Sequence, residues 1–296
     1  METRIIPRVA AIHDISGFGK VSLTEVLPIL SAMGVEACPL PTAVLSTHTY
    51  DFKYYSLCDL TEEMPKIIKH WEELNIEFDA IYSGYMSSAR QVEITYEFMK
   101  KEKEKGTLVV VDPVMGDNAL LEVKSVYSDR MLTLVDGMKK LTQIADVITP
   151  NVTEACMLIG KEYTSKPLNN ASIKDMLKGL CDLGAKASII TSVMDSENSM
   201  CVAVYDRERF YKINCGYVNR PFHGTGDVYT SVLTGCLVKG MSIIESSNIA
   251  ADFVYRAIQK TIRHPQIKIR EGVLFEQVLA EGYFAEKEYE QRFVEI

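Results

Sequence analysis

Short apolar, β-branched runs alternate with amphipathic stretches along the chain, and the alternation sets the expected element order. Arg8 to His13 reads as a strand, followed by a glycine-containing turn and a helix around Ser22 to Met33. Val35 to Leu45 contains a second extended segment, and Thr61 to Leu74 has helical spacing behind Thr61-Glu62-Glu63, which suits a helix start. Phe78 to Ser83 is a strand, and Ser87 to Lys105 is a helix with a charged outer face. Thr107 to Asp112 is almost continuously β-branched and apolar, the pattern of a strand covered on both faces. A helix near Ser128 to Ile144, a strand from Asp146 to Thr149 and a helix from Asn151 follow. Ile173 to Leu183, Ala187 to Thr191, a hairpin over Met200 to Asn214 and two long helices after Gly224 complete the core.

Strands separated by helical patterns of this length imply βαβ units, hence an α/β fold with a mostly parallel central sheet and helices on both faces. No internal repeat, low-complexity tract or Pro/Ser linker divides the chain, so residues 1–296 are expected to form one domain. The charged, less periodic stretch 265–296 is expected as a peripheral C-terminal segment. Ligands of such sheets bind beyond the carboxyl ends of the strands. Small polar clusters stand at those positions: Asp14-Ile-Ser-Gly, Ser83-Gly-Tyr, Asp112-Pro-Val-Met-Gly-Asp117, Thr149-Pro-Asn and Thr191-Ser192.

Composition narrows the function. A formal net charge of −8 argues against nucleic acid or an anionic membrane as partner, since both would be repelled. Any phosphate site must then be built locally, from backbone amides, a metal or a few cations. The seven cysteines include no C-x-x-C pair and no His at zinc-ligand spacing, so they read as buried thiols of a reducing cytoplasm. Neither a signal peptide nor a run of apolar residues long enough to span a membrane is visible.

The sharpest chemical signal is His223-Gly-Thr-Gly-Asp227, immediately before the helical run Val228 to Val238. Gly224, Thr225 and Gly226 can turn their amides toward one point, where the helix N-terminus adds positive potential. That arrangement suits a phosphoryl group in transfer, and Asp227 can take the proton of an attacking hydroxyl. The plainer alternative is a glycine turn capped by an aspartate. Gly17-Phe-Gly-Lys-Val-Ser22 imitates the end of a P-loop, but Asp14 and Val21 occupy positions that motif reserves for Gly and Ser/Thr. Gly224-Thr-Gly226 is no dinucleotide fingerprint either, because Tyr229 stands at the third glycine position. Asn151-Val-Thr-Glu154 is either a capping box or a phosphate and magnesium site, and the two roles are compatible. Asp112 and Asp117 suit metal and phosphate work at a strand end, or are solvated acids of a Pro-Gly turn; the following residues, Asn118 to Ser125, are candidates for a flap. His70 and His264 read as surface residues, and Trp71 as a helix-packing one.

Taken together and in order, Asp14-Ile-Ser-Gly, Ser46-Thr-His-Thr49, Ser83-Gly-Tyr85, Asp112-Pro-Val-Met-Gly-Asp117, Thr149-Pro-Asn-Val-Thr-Glu154, Ile190-Thr-Ser192 and Gly224-Thr-Gly-Asp227 resemble the ribokinase superfamily. Within it the likeness is to the pyridoxal/pyridoxamine kinases, over about Arg8 to Gly240. The resemblance implies ATP-dependent phosphorylation of the primary hydroxyl of a vitamin B6 vitamer, with Mg2+, K+ or Na+, and a homodimer. It implies Asp227 as base, the Gly224–Gly226 backbone as anion hole, and Asn151, Thr191, Ser192, Val218, Asn219, Arg220 and Thr225 along ATP. Asp112, Asp117, Glu154 and Thr149 would form the cation and phosphate cluster, with Thr149 and Thr191 beside a monovalent ion. Thr49 and Tyr85 fall where the pyridine ring is held, with Asp14 or Ser16 as a further contact. Two departures lie on the substrate side: His13-Asp14-Ile-Ser16 replaces a common Ser-His, and Thr47-His48-Thr49 replaces Asn-His-Thr. Hydroxymethylpyrimidine kinases are the nearest alternative, but they typically place Cys after Gly-x-Gly, where this chain has Asp227. Sugar kinases of the superfamily carry an early Gly-Gly motif with no clear counterpart here. A non-catalytic ligand-binding member of the fold is the alternative of another class, and Asp227, Glu154 and the two glycines argue against it.

Overall fold

The computed structural model describes residues 5–115, 129–218, 220–285 and 288–296. Its centre is built from β1 (Arg8–Ser16), β2 (Glu36–Leu45), β4 (Ala80–Ser83), β5 (Leu108–Val111), β6 (Val147–Ile148) and β7 (Ala187–Ser196), all paired in parallel. The edges turn antiparallel, through β3 (Leu57–Asp59) on one side and β8 (Ser199–Tyr205), β9 (Phe210–Asn214) and β10 (Phe293–Glu295) on the other. Among the described residues the ten strands form one sheet, in the order β10-β9-β8-β7-β6-β5-β4-β1-β2-β3.

The near-continuous apolar strands have the predicted cause. Along β1, Ala10 and Ile12 pack on one face while Val9 and Ala11 pack on the other, and Val109 and Val111 of β5 alternate likewise with Val110. Helices α2 (Met64–Glu73), α3 (Ala89–Glu104), α4 (Asp129–Ile144), α5 (Val152–Ile159) and α6 (Asn170–Asp182) cover the first of these layers. Helices α1 (Leu23–Ala32), α7 (Thr225–Leu237), α8 (Ile243–Ile262) and α9 (Phe275–Ala280) cover the second. The fold class expected from the sequence is the one observed. Trp71 packs against Phe78 and Phe98 as expected, and His70 is exposed, whereas His264 is half-buried.

The stretch after Pro265 differs from the peripheral helix expected there. Val273, Phe275, Val278 and Tyr283 are buried in the second layer, and β10 extends the sheet. Intervening charged residues mask this core contribution in the sequence. The cysteines also differ from the expected uniform burial: all seven are free, Cys58 on β3 is exposed, and Cys38 and Cys215 are half-buried. Among the described residues no helix is long and apolar enough to cross a membrane.

Candidate active site

The carboxyl ends of β1, β5, β6 and β7 open into one cleft of about 490 Å³. It is lined by Asp14, Thr49, Tyr85, Asp112, Thr149, Asn151, Glu154, Thr191, Ser192, Val218, Arg220 and the Gly224–Asp227 corner. These residues were all expected at the site from the sequence. Of the two alternatives near the ring, Asp14 lines the cleft. Ser16 instead is buried behind it, donates to Asp14 Oδ2 at 3.0 Å and borders a second, smaller cavity. Asp117, Asn219 and the Asn118 to Ser125 stretch lie outside the described residues.

Gly224 is the residue immediately before α7 and adopts the left-handed conformation (φ 79°, ψ −10°) that favours glycine. A Cβ there would lie 2.5 Å from the Lys20 carbonyl oxygen and 2.5 Å from Glu25 Oε1, so the corner is packed shut on its inner side. Gly226 is different: the nearest heavy atom to a Cβ built on it is Asp112 Oδ2, at 3.7 Å, so its outer side faces open cleft. Asp227 follows in the first helical turn. Its Oδ2 accepts from the backbone N–H of Ser22 at 2.9 Å, and its Oδ1 stands 3.6 Å from Nδ1 of His13.

Opposite this corner, Glu154 and Asn151 form a full capping box at the start of α5. Glu154 Oε2 accepts from Asn151 N at 2.9 Å, and Oε1 accepts from Met115 N at 3.0 Å, tying the β5 end to the β6 end. Both residues thus cap α5 and line the cleft, so the two readings left open by the sequence are geometrically compatible. Thr149 Oγ1 lies 3.0 Å from Thr230 Oγ1, which in turn donates to Asp112 Oδ2 at 3.5 Å. Thr191 donates to the Pro150 carbonyl, and Ser192 sits at positive φ (57°) where the β7–β8 register slips between Ile190 and Val193. That slip turns the strand end toward the cleft.

Among the described residues four carboxylates, Asp14, Asp112, Glu154 and Asp227, line the cleft against one guanidinium, Arg220. Burial, with the neighbouring Asp227 charge adding to it, raises the Asp14 carboxyl above its ordinary range despite hydrogen bonds from Ser22 and Ser16. Glu25, completely buried under Gly224, is pushed well up by burial and then by Asp227. No group of three or more His, Cys, Asp or Glu side chains stands at metal-holding spacing among the described residues. Glu154 already accepts an amide on each oxygen, so it suits contact with a hydrated cation through water.

Several participants were not singled out from the sequence: His13, Ser22, Glu25, Tyr50, Thr230 and Tyr255. His48, placed only within a polar motif, is a brace. The Tyr50 N–H donates to its Nδ1 at 3.1 Å, so its Nε2–H donates to the Arg270 carbonyl at 2.8 Å. The C-terminal stretch thereby anchors the loop that carries Thr49. At the far end, Met200, Val202, Val254, Tyr255 and Ile258 form an apolar wall suited to a flat ring.

Comparisons with known proteins identify the chain's relatives. The family model for phosphomethylpyrimidine kinase matches residues 27–270. A Bacteroides thetaiotaomicron protein, for which phosphomethylpyrimidine kinase is the suggested assignment, is 40% identical with a TM-score of 0.91, covering 100% of both chains. A second crystal form of it, with pyridoxal, gives a TM-score of 0.89 over 98% of this chain and 100% of that one. The pyridoxal kinase of Lactobacillus plantarum is 28% identical with a TM-score of 0.82, covering 94% of this chain and 97% of its own. The hydroxymethylpyrimidine/phosphomethylpyrimidine kinase of Aquifex aeolicus is 27% identical over 203 residues, 67% of this chain and 74% of that protein. With a family model matched across most of its length and a strand-end cleft to go with it, this chain belongs to the phosphomethylpyrimidine/pyridoxal kinase family of ribokinase-like enzymes.

Proposed function

We propose that the protein transfers the γ-phosphoryl group of ATP to the primary hydroxyl of pyridoxal or a related B6 vitamer, pyridoxamine or pyridoxine, as a salvage reaction. The observation that carries the reading is the Gly224–Asp227 corner. Its residues and the N-terminus of α7 line the cleft, and beside them stands a carboxylate whose Oδ2 is held by Ser22 N at 2.9 Å. A hydroxyl oxygen approaching phosphorus becomes more acidic, and Asp227 is placed to accept its proton while the amides of Thr225 and Gly226 receive charge on the equatorial oxygens. The apolar wall at Tyr255 and Ile258, with Val218 and Arg220, suits the adenine end; Thr49, Tyr85 and Asp14 suit the pyridine end.

Magnesium entering with the nucleotide would supply positive charge to offset the phosphates, which an acid-lined cleft requires. Asp112 and Glu154 would hold it through water, beside Thr149; Asn151, Thr191 and Ser192 would contact phosphate. A monovalent ion near Thr149 and Thr191 and a homodimer belong to the same proposal, to be read out by K+ titration of activity and by light scattering.

The choice of a B6 vitamer rests on Asp227 where hydroxymethylpyrimidine kinases typically carry Cys, and on the pyridoxal found with the 40%-identical Bacteroides protein. Hydroxymethylpyrimidine is the second reading, favoured by the family model and by the Aquifex relative. ADP release with ATP and each of pyridoxal, pyridoxamine, pyridoxine and hydroxymethylpyrimidine decides between them. A higher kcat/KM for the pyrimidine removes the B6 assignment. Asp227→Asn should bind ATP normally and lose turnover about 10²–10⁴-fold.

A further inference from the structure

His13 ends the apolar part of β1 with a fully buried imidazole, and among the described residues neither ring nitrogen has a hydrogen-bond partner. A hydrocarbon of similar size would pack at this position without stranding two polar atoms, so the imidazole calls for an explanation. Its surroundings fix the ring. Tyr82 meets it edge to face, with centroids 4.3 Å apart, and the ring lies where a Cβ on Gly84 would stand, 2.3 Å from Nδ1. Only a residue without a side chain at Gly84 leaves that room, which accounts for the glycine of the Ser83-Gly84-Tyr85 motif. What remains in front of Nδ1 is Asp227 Oδ1, itself buried and without a hydrogen-bond partner among the described residues, at 3.6 Å. That separation is longer than a hydrogen bond but closable by a small rotation of the carboxylate, and such contacts commonly tighten when substrate binds.

We infer that His13 is a positioning residue for the phosphoryl-transfer step, donating from Nδ1–H to Asp227 Oδ1 once the cleft is filled. The inference rests on the proposed role of Asp227 as base. With Oδ2 held by the Ser22 amide and Oδ1 by His13, the carboxylate cannot turn about its Cβ–Cγ bond. A free lone pair of Oδ2 then stays aimed into the cleft, toward the hydroxyl whose proton it takes. His13 has no surface open to the cleft and does not touch substrate, so it acts only through Asp227.

The test is a double-mutant cycle with side-chain rescue, measured as ATP-dependent turnover of whichever of pyridoxal or hydroxymethylpyrimidine the wild type prefers. His13→Leu should lower kcat about 10- to 100-fold, part of the 10²–10⁴ available from a general base, with both KM values within about threefold of wild type. His13→Asn, whose amide nitrogen reaches the place of Nδ1, should recover most of that loss. His13→Gln, which reaches instead toward Nε2, should not. In the Asp227→Asn background His13→Leu should have no further effect, because the group it orients is gone. An unchanged kcat in His13→Leu, or the same fold loss in both backgrounds, overturns the inference. If His13→Leu fails to fold, equal activity of His13→Asn and His13→Gln overturns it alone. Full activity of Asp227→Asn removes the base assignment, and this inference with it; normal turnover by His13→Leu beside an inactive Asp227→Asn removes this inference only.

Discussion

The two glycines of the corner should fail in opposite ways when each gains one methyl group. Gly226→Ala places its Cβ where the nearest described heavy atom is Asp112 Oδ2 at 3.7 Å, so no described residue resists it. Gly226 lies in the first turn of α7 without a positive φ, and Ala there gains about 0.5–1 kcal/mol over Gly. For a chain of this size that raises Tm by roughly 1–3 °C. Yet the methyl stands in the gap between the corner and Asp112, where a phosphoryl oxygen must come within hydrogen-bond distance of the amides. Losing one such donor costs about 3 kcal/mol of barrier, or roughly 10²-fold in kcat.

Gly224→Ala meets the other problem. Its φ of 79° costs an L-residue about 1–2 kcal/mol, and its Cβ lies 2.5 Å from the Lys20 carbonyl, a backbone atom that cannot swing aside. Overpacking of that kind adds about 1–3 kcal/mol. The sum, roughly 2–5 kcal/mol, lowers Tm by roughly 5–15 °C. Differential scanning calorimetry and coupled ADP release on the two variants separate stability from turnover. If Gly226→Ala keeps wild-type kcat and KM for ATP, the space outside Gly226 is not where phosphate is transferred, and the reasoning about the corner is wrong.

Glu25 and the thiols carry the other expectations. Burial raises the Glu25 carboxyl well above its ordinary value, so its contribution to stability is fully present below about pH 4.5, the unfolded range, and is lost as pH climbs toward the folded value. Glu25→Gln removes that loss: its Tm should match wild type at pH 5 and exceed it by a margin that widens to ~2 °C or more by pH 9. A gap that is constant or reversed across that range refutes the buried neutral acid. Among the cysteines, burial lifts Cys201, Cys215 and Cys236 to about 12, whereas Cys58 is exposed on β3. A thiol reagent at pH 8 should therefore modify one thiol quickly in the native protein, and Cys58→Ser should abolish that phase.

Most of the parallel centre was legible because burial on both faces forces runs such as Val109-Val110-Val111, which no loop or surface helix requires. β3 and β10 were not. Leu57, Cys58 and Asp59 are all exposed, so no core-facing period marks them, and β10 is a three-residue edge. Asp112, Thr149, Asn151 and Glu154 were legible because each sits within a few residues of a strand end, and the glycine corner because its two glycines stand directly at the start of a helical run. The groups that act on Asp227 were not. Ser22 offers only its backbone N–H, which any residue but proline would supply, across 205 positions of sequence. His13 and Glu25 owe their importance to what lies opposite them in space. One lies within β1 and the other in the first turn of α1, and neither position announces Asp227 or Gly224 as its neighbour.

The same corner shows how an acidic protein can receive a polyanion. Its formal charge is −8, and its cleft presents four carboxylates and one guanidinium among the described residues, so long-range attraction does not bring a nucleotide in. Attraction must come from groups that act within a few ångströms: the amides of Thr225 and Gly226, the N-terminus of α7, and a cation carried with the phosphates. That short-range field survives only if nothing ionised stands directly behind it. Glu25 occupies that position, beneath Gly224, and burial raises its carboxyl well above the ordinary range, which favours the neutral form. A lysine there would strengthen the proposed anion hole but would also pair with Asp227 and draw the proposed base away from the hydroxyl. A neutral acid leaves both the amide field and the Asp227 carboxylate intact, which is why a buried carboxyl is compatible with phosphoryl transfer a few ångströms away.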